Sequence, residues 1–301
     1  MMNKTFLRAM VLMTVVMGCM ASRCGSDQKD APSEVGKKAY AFTQELVAIG
    51  PRPPGSSGIE KARTWLASEV QKMGFTLVTD LFMASTPLGV IEMKNLSYVI
   101  AGKQSSQKVI LLAHYDSKRF IGFDFVGAND AASSVALLLA LSPEIQKRGF
   151  SFETEVIFVD GEEALVEWSA SDSLYGSRHL TSTLKSQSSI KAAIVVDMIG
   201  DADLKLVREK EVDPQLFKVL EEVLKEKGLS QLLDSSITFV QDDHTPLIQA
   251  GIPTLHLMDF TYGGSGSPGV YWHTSADTSD KVSAQSLSVV AEIVLGVLGK
   301  L

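Results

Sequence analysis

The spacing of apolar residues changes character several times along the chain. Ala39, Phe42, Leu46 and Val47 recur at the helical period, and the pattern stops at Gly50-Pro51-Arg52-Pro53-Pro54-Gly55, where rigid and permissive residues alternate. A second helix is predicted over 59–73, with Ala62, Trp65, Leu66 and Val70 as its apolar positions. The period then shortens. Residues 77–82 and 91–100 read as strands joined by a turn at 85–89, the second alternating with a period close to two.

The centre of the chain carries continuous apolar runs instead: Val109-Ile110-Leu111-Leu112-Ala113, Val156-Ile157-Phe158-Val159 and Ala192-Ala193-Ile194-Val195-Val196. Such runs suit strands buried on both faces of a mostly parallel sheet. Helices are expected at 131–141, 174–184 and 214–227, then a fourth apolar strand at 253–258 and a closing helix at 284–298. The pattern predicts an α/β fold in which a mixed, mostly parallel central sheet is flanked by helices on both faces, built as one domain over 35–301.

Polar residues collect where these strands end. The first run is followed by His114-Tyr115-Asp116 and the second by Asp160-Gly161-Glu162-Glu163; the third ends at Asp197, and the fourth is preceded by Asp242-Asp243-His244. In open α/β sheets ligands bind beyond the carboxyl ends of the strands, so these groups are expected to converge. Asp130 opens the helix expected at 131, where capping is its ordinary role. Glu162 and Glu163 have a solvated loop tip as their ordinary role. Two carboxylates directly after a buried strand would, however, share one site, and their proximity would push one pKa upward. One ligand and one proton carrier is the division that metal-assisted acyl transfer requires.

Composition narrows the chemistry. The 301 residues include 28 basic and 35 acidic side chains, a net charge of −7 that argues against nucleic acid as a partner. With 45% apolar residues and 21% charged, the chain can support a sizeable core. No cysteine follows Cys24, which removes disulfides, thiolate zinc sites and a cysteine nucleophile from the folded part. Among the five histidines, His179 reads as a structural or surface residue and His256, inside Leu255-His256-Leu257, as a core histidine. His114, His244 and His273 remain as candidate ligands, and the HExxH helix of zincins is absent.

The amino terminus reads as a targeting segment. Lys4 and Arg8 precede an apolar run at 9–17, the length of a secretory h-region and too short to span a bilayer. Its end, Val16-Met17-Gly18-Cys19, resembles the lipobox of bacterial lipoproteins; a plain signal peptide cut near Ala21 is the alternative. The expectation is a signal at 1–18, a polar tether at 19–34, and an exported chain anchored to a bacterial envelope membrane if Cys19 is acylated.

The order His114-Tyr-Asp116, Asp130, Glu162-Glu163, Asp197, His273 resembles the metal-binding order of the M28 zinc aminopeptidase clan. More narrowly, the chain is similar to the glutaminyl-peptide cyclotransferases of animal type and their bacterial relatives. The phrases that carry the similarity include His114-Tyr-Asp-Ser-Lys118, Val126-Gly-Ala-Asn-Asp130, Phe158-Val-Asp-Gly-Glu-Glu-Ala164, Trp168-Ser, Asp172-Ser-Leu-Tyr-Gly-Ser-Arg-His-Leu180, Gln241-Asp-Asp-His244 and Trp272-His273-Thr274.

That resemblance implies one zinc ion per chain, held by Asp130, Glu163 and His273 with a position left open. It implies Glu162 as general acid and base, Asp197 and Asp242 as a carboxylate network behind it, Trp168 and Trp272 as pocket walls, and Gln241 as a holder of substrate backbone. Peptides or proteins with amino-terminal glutamine would be the substrates, cyclised to pyroglutamate with loss of ammonia. An aminopeptidase with two zinc ions would use the same residues differently, His114 and Asp197 holding a second ion and Asp130 bridging. Two departures stand out. Ala113 and Val135 replace the cysteines of the animal enzymes' disulfide, and the glycine-rich loop at 263–269 lacks the aromatic residue expected at the pocket rim, for which Tyr262 or Tyr271 is a possible substitute.

Overall fold

Helices α1 (Glu34–Ile49) and α2 (Ser57–Lys72) begin at serines whose hydroxyls cap them: Ser33 accepts the N–H of Gly36, and Ser56 that of Ile59. Helix α1 ends at Gly50, whose φ of 91° an L side chain rarely adopts. Strands β1 (Val78–Thr86) and β2 (Gly89–Ile100) form a hairpin. After them come β3 (Lys108–His114), α3 (Ser134–Arg148), β4 (Glu153–Val159), α4 (Tyr175–Thr183) and β5 (Ile190–Asp197). The chain continues through β6 (Leu206–Glu209), α5 (Pro214–Glu226), β7 (Leu233–Thr238), α6 (His244–Gln249), β8 (Thr254–Met258) and α7 (Ala284–Lys300). The structure, a computed structural model, describes residues 31–103, 106–184, 189–264 and 266–301; the expected signal at 1–18 and the tether as far as residue 30 lie outside the described residues.

The main sheet has the order β1-β2-β4-β3-β5-β8. Its hairpin joins antiparallel, β2 to β4, while β4, β3, β5 and β8 run parallel. This is the mixed, mostly parallel sheet the apolar runs predict. Alternation within β3 shows why those runs are continuous. Val109, Leu111 and Ala113 pack into the larger core with α1, α2, α3, α5 and α7, whereas Ile110 and Leu112 pack on the other face with Leu180 of α4 and Leu247 of α6. Each fully buried aliphatic side chain contributes on the order of 1.5–3 kcal/mol, and both faces of the parallel strands supply them.

All six expected strands fall within a few residues of observed ones, and so do the expected helices except that at 131–141, whose counterpart α3 runs on to Arg148. Three features do not follow from the apolar pattern. The short parallel pair β6 and β7 is paired over few residues and has a register shift. Helix α6 spans only six residues. Residues 128–133 form a π-type turn with Asp130 at φ −109°, ψ 87°, so α3 starts at Ser134 and not at 131.

Candidate active site

The parallel strands of the main sheet all deliver their carboxyl ends to one side. His114 is the last residue of β3 and Asp197 the last of β5, with Glu162 and Glu163 just beyond β4. The end of β3 and the loop after β4 are locked together by Asp116, whose Oδ1 accepts the N–H of Glu162 at 3.2 Å and whose Oδ2 accepts that of Glu163 at 3.2 Å. Gly127, at φ 52°, begins the turn that carries Asp130, and a Cβ there would lie 1.9 Å from the Asp130 carbonyl oxygen. The carboxylate of Asp277 accepts the N–H groups of Asn129 at 2.8 Å and Asp130 at 3.2 Å, so the turn is held from behind. Asp130 therefore does not play the capping role open to it in the sequence; its side chain faces two histidines.

Those contacts define a compact donor set. Nε2 of His273 lies 2.8 Å from Oε1 of Glu163 and 3.3 Å from Oδ2 of Asp130. The other oxygen of Asp130 is 3.2 Å from Nε2 of His114, which is also 3.3 Å from Oδ1 of Asp197. Asp130 thus belongs to two groups able to hold a cation, Asp130 with Glu163 and His273, and His114 with Asp130 and Asp197. His273 is steered by Trp272, stacked on its ring at 3.7 Å, and by the edges of Phe120 and Phe125 at 5.8 Å. Lys118 donates to Oε2 of Glu163 at 3.1 Å.

Burial sets the protonation states. It raises Glu162 well above the usual carboxylate range; the charge of His114 opposes that, and those of Glu163, Asp242 and Asp243 reinforce it. Burial likewise lifts Asp197 to about 7, against a hydrogen bond from His114 and with help from the charge of Asp242. Asp242 goes the other way. Burial would raise it, but His256, with Nε2 2.8 Å from Oδ2, outweighs that and holds it at about 2. His273 loses proton affinity through burial, yet the charges of Glu163 and Asp130 carry it up to about 9. The point between these carboxylates accordingly favours positive charge. Carboxylate and imidazole donors are also the set that zinc accepts, so the residues present fit such an ion.

The nine residues to which the cyclase resemblance gives roles meet around one cavity of about 480 Å3: Asp130, Glu162, Glu163, Trp168, Asp197, Gln241, Asp242, Trp272 and His273. Nε1 of Trp168 donates to the side-chain oxygen of Gln241 at 3.3 Å across its mouth. His244 does not join the Asp130 group. It stacks on His256 at 4.2 Å and falls with it and Glu209 in a separate buried group. Tyr262 is not a rim residue either, since it is fully buried and donates to Asp277 at 2.7 Å. Tyr271 lines a neighbouring depression, and Phe239 and Phe260 supply aromatic rings to the cavity instead. Sequence reasoning also assigned no role to Lys118, Asp116, Asp277 or Arg52; the first two stand in the quoted phrase at 114–118, next to His114.

Residues 95–298 match the model of peptidase family M28. A mouse protein named glutaminyl-peptide cyclotransferase-like protein is 33% identical over 269 residues, covering 79% of this chain and 68% of that protein. The bovine glutaminyl-peptide cyclotransferase is 30% identical over 281 residues, covering 80% and 76%. Among solved structures, a glutaminyl cyclase from an Acidobacteriales bacterium superposes with a TM-score of 0.84 at 35% identity, covering 90% of this chain and 96% of that one.

Proposed function

The chain belongs to peptidase family M28, within its glutaminyl-peptide cyclotransferase branch, and from that membership we propose how its own residues convert the amino-terminal glutamine of a peptide to pyroglutamate and ammonia. The observation that carries the proposal is the convergence of Glu162, Asp197 and Asp242 with the Asp130, Glu163 and His273 group on a single cavity. When bound by those three ligands, zinc supplies a Lewis acid for the side-chain amide carbonyl of the substrate.

Glu162 takes a proton from the α-amine as its nitrogen attacks the side-chain amide carbon, then delivers that proton to the departing amide nitrogen. One C–N bond forms, one breaks, and ammonia leaves. A buried carboxyl with raised proton affinity suits a group that must both accept and return a proton. Asp242 is held ionised by His256, while burial lifts Asp197 to about 7, so that Asp197 keeps a proton close to Glu162 near neutral pH. Nucleophile and electrophile belong to one residue, so fixing its folded conformer is the main task of the walls. Trp168 and Trp272 form those walls, and Gln241, tied to Trp168, meets the substrate backbone.

The alternative, a two-metal aminopeptidase, finds its second donor group in His114, Asp130 and Asp197. The named relatives favour the cyclase. Incubating purified protein with a Gln-peptide and with aminoacyl anilides, while measuring bound zinc, separates the two. Ammonia release with one zinc per chain is expected; anilide hydrolysis with two would overturn the reading. Residues 1–18 are read as an export signal and Cys19 as a lipid-anchor site of a bacterial envelope protein. On that reading Cys19→Ser moves the expressed protein out of the membrane fraction, and an unchanged distribution refutes the anchor.

A further inference from the structure

The two edges of the main sheet differ in their protection. Strand β8, at one end, is five residues long and buried throughout. Strand β1, at the other, is nine residues long and pairs with β2 in an unbroken register from Val78 opposite Ser97 to Thr86 opposite Gly89. Among the described residues no strand adjoins its outer side. In an antiparallel pair alternate residues turn their N–H and C=O groups away from the partner strand, so β1 presents a row of such groups outward. Natural edges are blunted by proline, lysine, a bulge or a covering element. The segment Val78-Thr-Asp-Leu-Phe-Met-Ala-Ser-Thr86 contains no proline and no lysine, and its register carries no bulge.

The side chains of β1 sort to two faces. Phe82 and Ala84, opposite Met93 and Ile91, pack with Leu165 and Tyr175. Leu81 and Met83 belong to the other face and are 52% and 59% exposed. Behind them on β2 stand Lys94 and Glu92, whose side chains pair with each other at 3.0 Å. Asp80 is the one charged residue of the strand, and its Oδ2 lies 3.0 Å from Nε2 of His179. The charges beside the exposed pair are therefore engaged within the chain. Nothing at this edge repels an identical edge.

We propose that β1 pairs antiparallel with β1 of a second copy of this chain, about a two-fold axis at Phe82, joining the two main sheets into one. A two-fold interface needs a surface complementary to itself, and this register supplies one. All nine residues overlap when the axis lies at Phe82. Leu81 then faces the partner's Met83 and Met83 faces the partner's Leu81, so four exposed apolar side chains meet on one face. On the other face Phe82 meets the partner's Phe82, each ring backed by its own His179, stacked at 4.2 Å. Asp80 falls opposite the partner's Ala84. An axis moved to Asp80 would set two carboxylates against each other, and an axis between residues would set outward-turned N–H groups against inward-turned ones. Pairing over nine residues buries on the order of 1,000 Å2, the lower end for a specific interface, so a dissociation constant in the micromolar range is expected.

Sedimentation velocity of the purified protein from about 1 to about 200 μM should show a monomer and dimer in equilibrium, with Kd on the order of 10 μM. Met83→Lys puts a charge at the centre of the pairing and should raise Kd at least about tenfold, while the circular dichroism spectrum stays that of the parent. Hydrogen exchange of the parent protein gives a readout that needs no variant. Amides within 79–85 should exchange about fivefold more slowly at about 200 μM than at about 1 μM, in proportion to the fraction left as monomer. A monomer at the highest concentration, or a dimer that Met83→Lys leaves intact, would overturn the proposal. So would slow exchange of these amides at both concentrations, which would mean that another segment of the same chain already lies along β1.

Discussion

Glu162 and Glu163 are consecutive, and Asp116 holds their two N–H groups on its two oxygens, yet their carboxylates have different surroundings. Glu163 is committed to His273 on one oxygen and Lys118 on the other. Glu162 is pushed toward its protonated form by burial and by the charges of Glu163, Asp242 and Asp243. The two should separate on substitution. Glu162→Gln is expected to keep zinc and lose about 10²–10⁴-fold in kcat, while Glu163→Gln weakens zinc binding. Zinc analysis beside single-turnover kinetics checks both; parental turnover in Glu162→Gln would remove it as the proton carrier.

Asp277 lies outside the donor set but shapes it. Its carboxylate accepts from the backbones of Asn129 and Asp130 and from the hydroxyl of Tyr262. Groups that orient a metal ligand typically change metal affinity 10–100-fold when altered. Asp277→Asn should therefore weaken zinc at the low end of that range, and Tyr262→Phe, which removes one contact of three, should do less. Competition with a chromogenic chelator measures the affinity directly, and parental affinity in Asp277→Asn would show that Asp130 keeps its place unaided.

Much of this site was legible because strand ends are legible. Continuous apolar runs mark parallel strands, and the polar residues after them must meet on one side of the sheet, which is how His114, Glu162 and Asp197 could be grouped. What the pattern could not show lies in tertiary hydrogen bonding. Nothing local to Asp277 says that its carboxylate will receive two N–H groups from residues 129 and 130. Nor does Asp172 announce that its carboxylate accepts the N–H groups of Leu165, Val166 and Glu167 beside the cavity, although both stand close to residues singled out. The sequence offers Tyr262 or Tyr271, at the ends of the glycine-rich loop, for the aromatic rim. The rim is instead built by Phe239 and Phe260, which follow β7 and β8; β7 is a short strand that periodicity does not reveal.

The Pro-Arg-Pro segment shows the same limit and yields a prediction of its own. Read as a loop, it places Arg52 at 0% exposure. The guanidinium donates to the carbonyls of Tyr115, Leu46, Gly50, Val126 and Gly127, at 2.7–3.4 Å. Burial draws it down to about 10, against the charges of Asp116, Asp277 and Asp130, so it stays charged at neutral pH. It ties the end of α1 to the end of β3 and to the turn before Asp130. Arg52→Met leaves five carbonyls without their donor and should cost about 3–5 kcal/mol, roughly 10 °C in Tm. Arg52→Lys, with a compact ammonium in place of the planar fork, should recover less than half of that. Thermal unfolding of the two variants decides; equal stability of Arg52→Met and the parent would refute the clamp.

Asp259 supplies a pH dependence away from the donor set. The residue is fully buried after β8, where Oδ2 accepts from Lys205 N at 2.7 Å and Oδ1 from Thr261 N at 2.8 Å and Thr261 Oγ1 at 2.7 Å. Burial pushes its carboxyl up to about 6; the bonds from Thr261 and Lys205 offset part of that, and the charge of Asp201 adds to it. An unfolded aspartate titrates near about 3.9. The folded value is the higher one, so the stability contributed by this group is fully present below about pH 4 and is lost as pH rises through about 6, a swing of up to about 3 kcal/mol. Asn cannot titrate and lacks the swing. Measured with excess chelator at both pH values, so that metal binding adds nothing to the difference, the Tm of Asp259→Asn relative to the parent should be more favourable at pH 8 than at pH 4.5. A difference that is flat, or that runs the other way, would mean that the three donors around Asp259 outweigh its burial and that the carboxylate is already ionised at the lower pH.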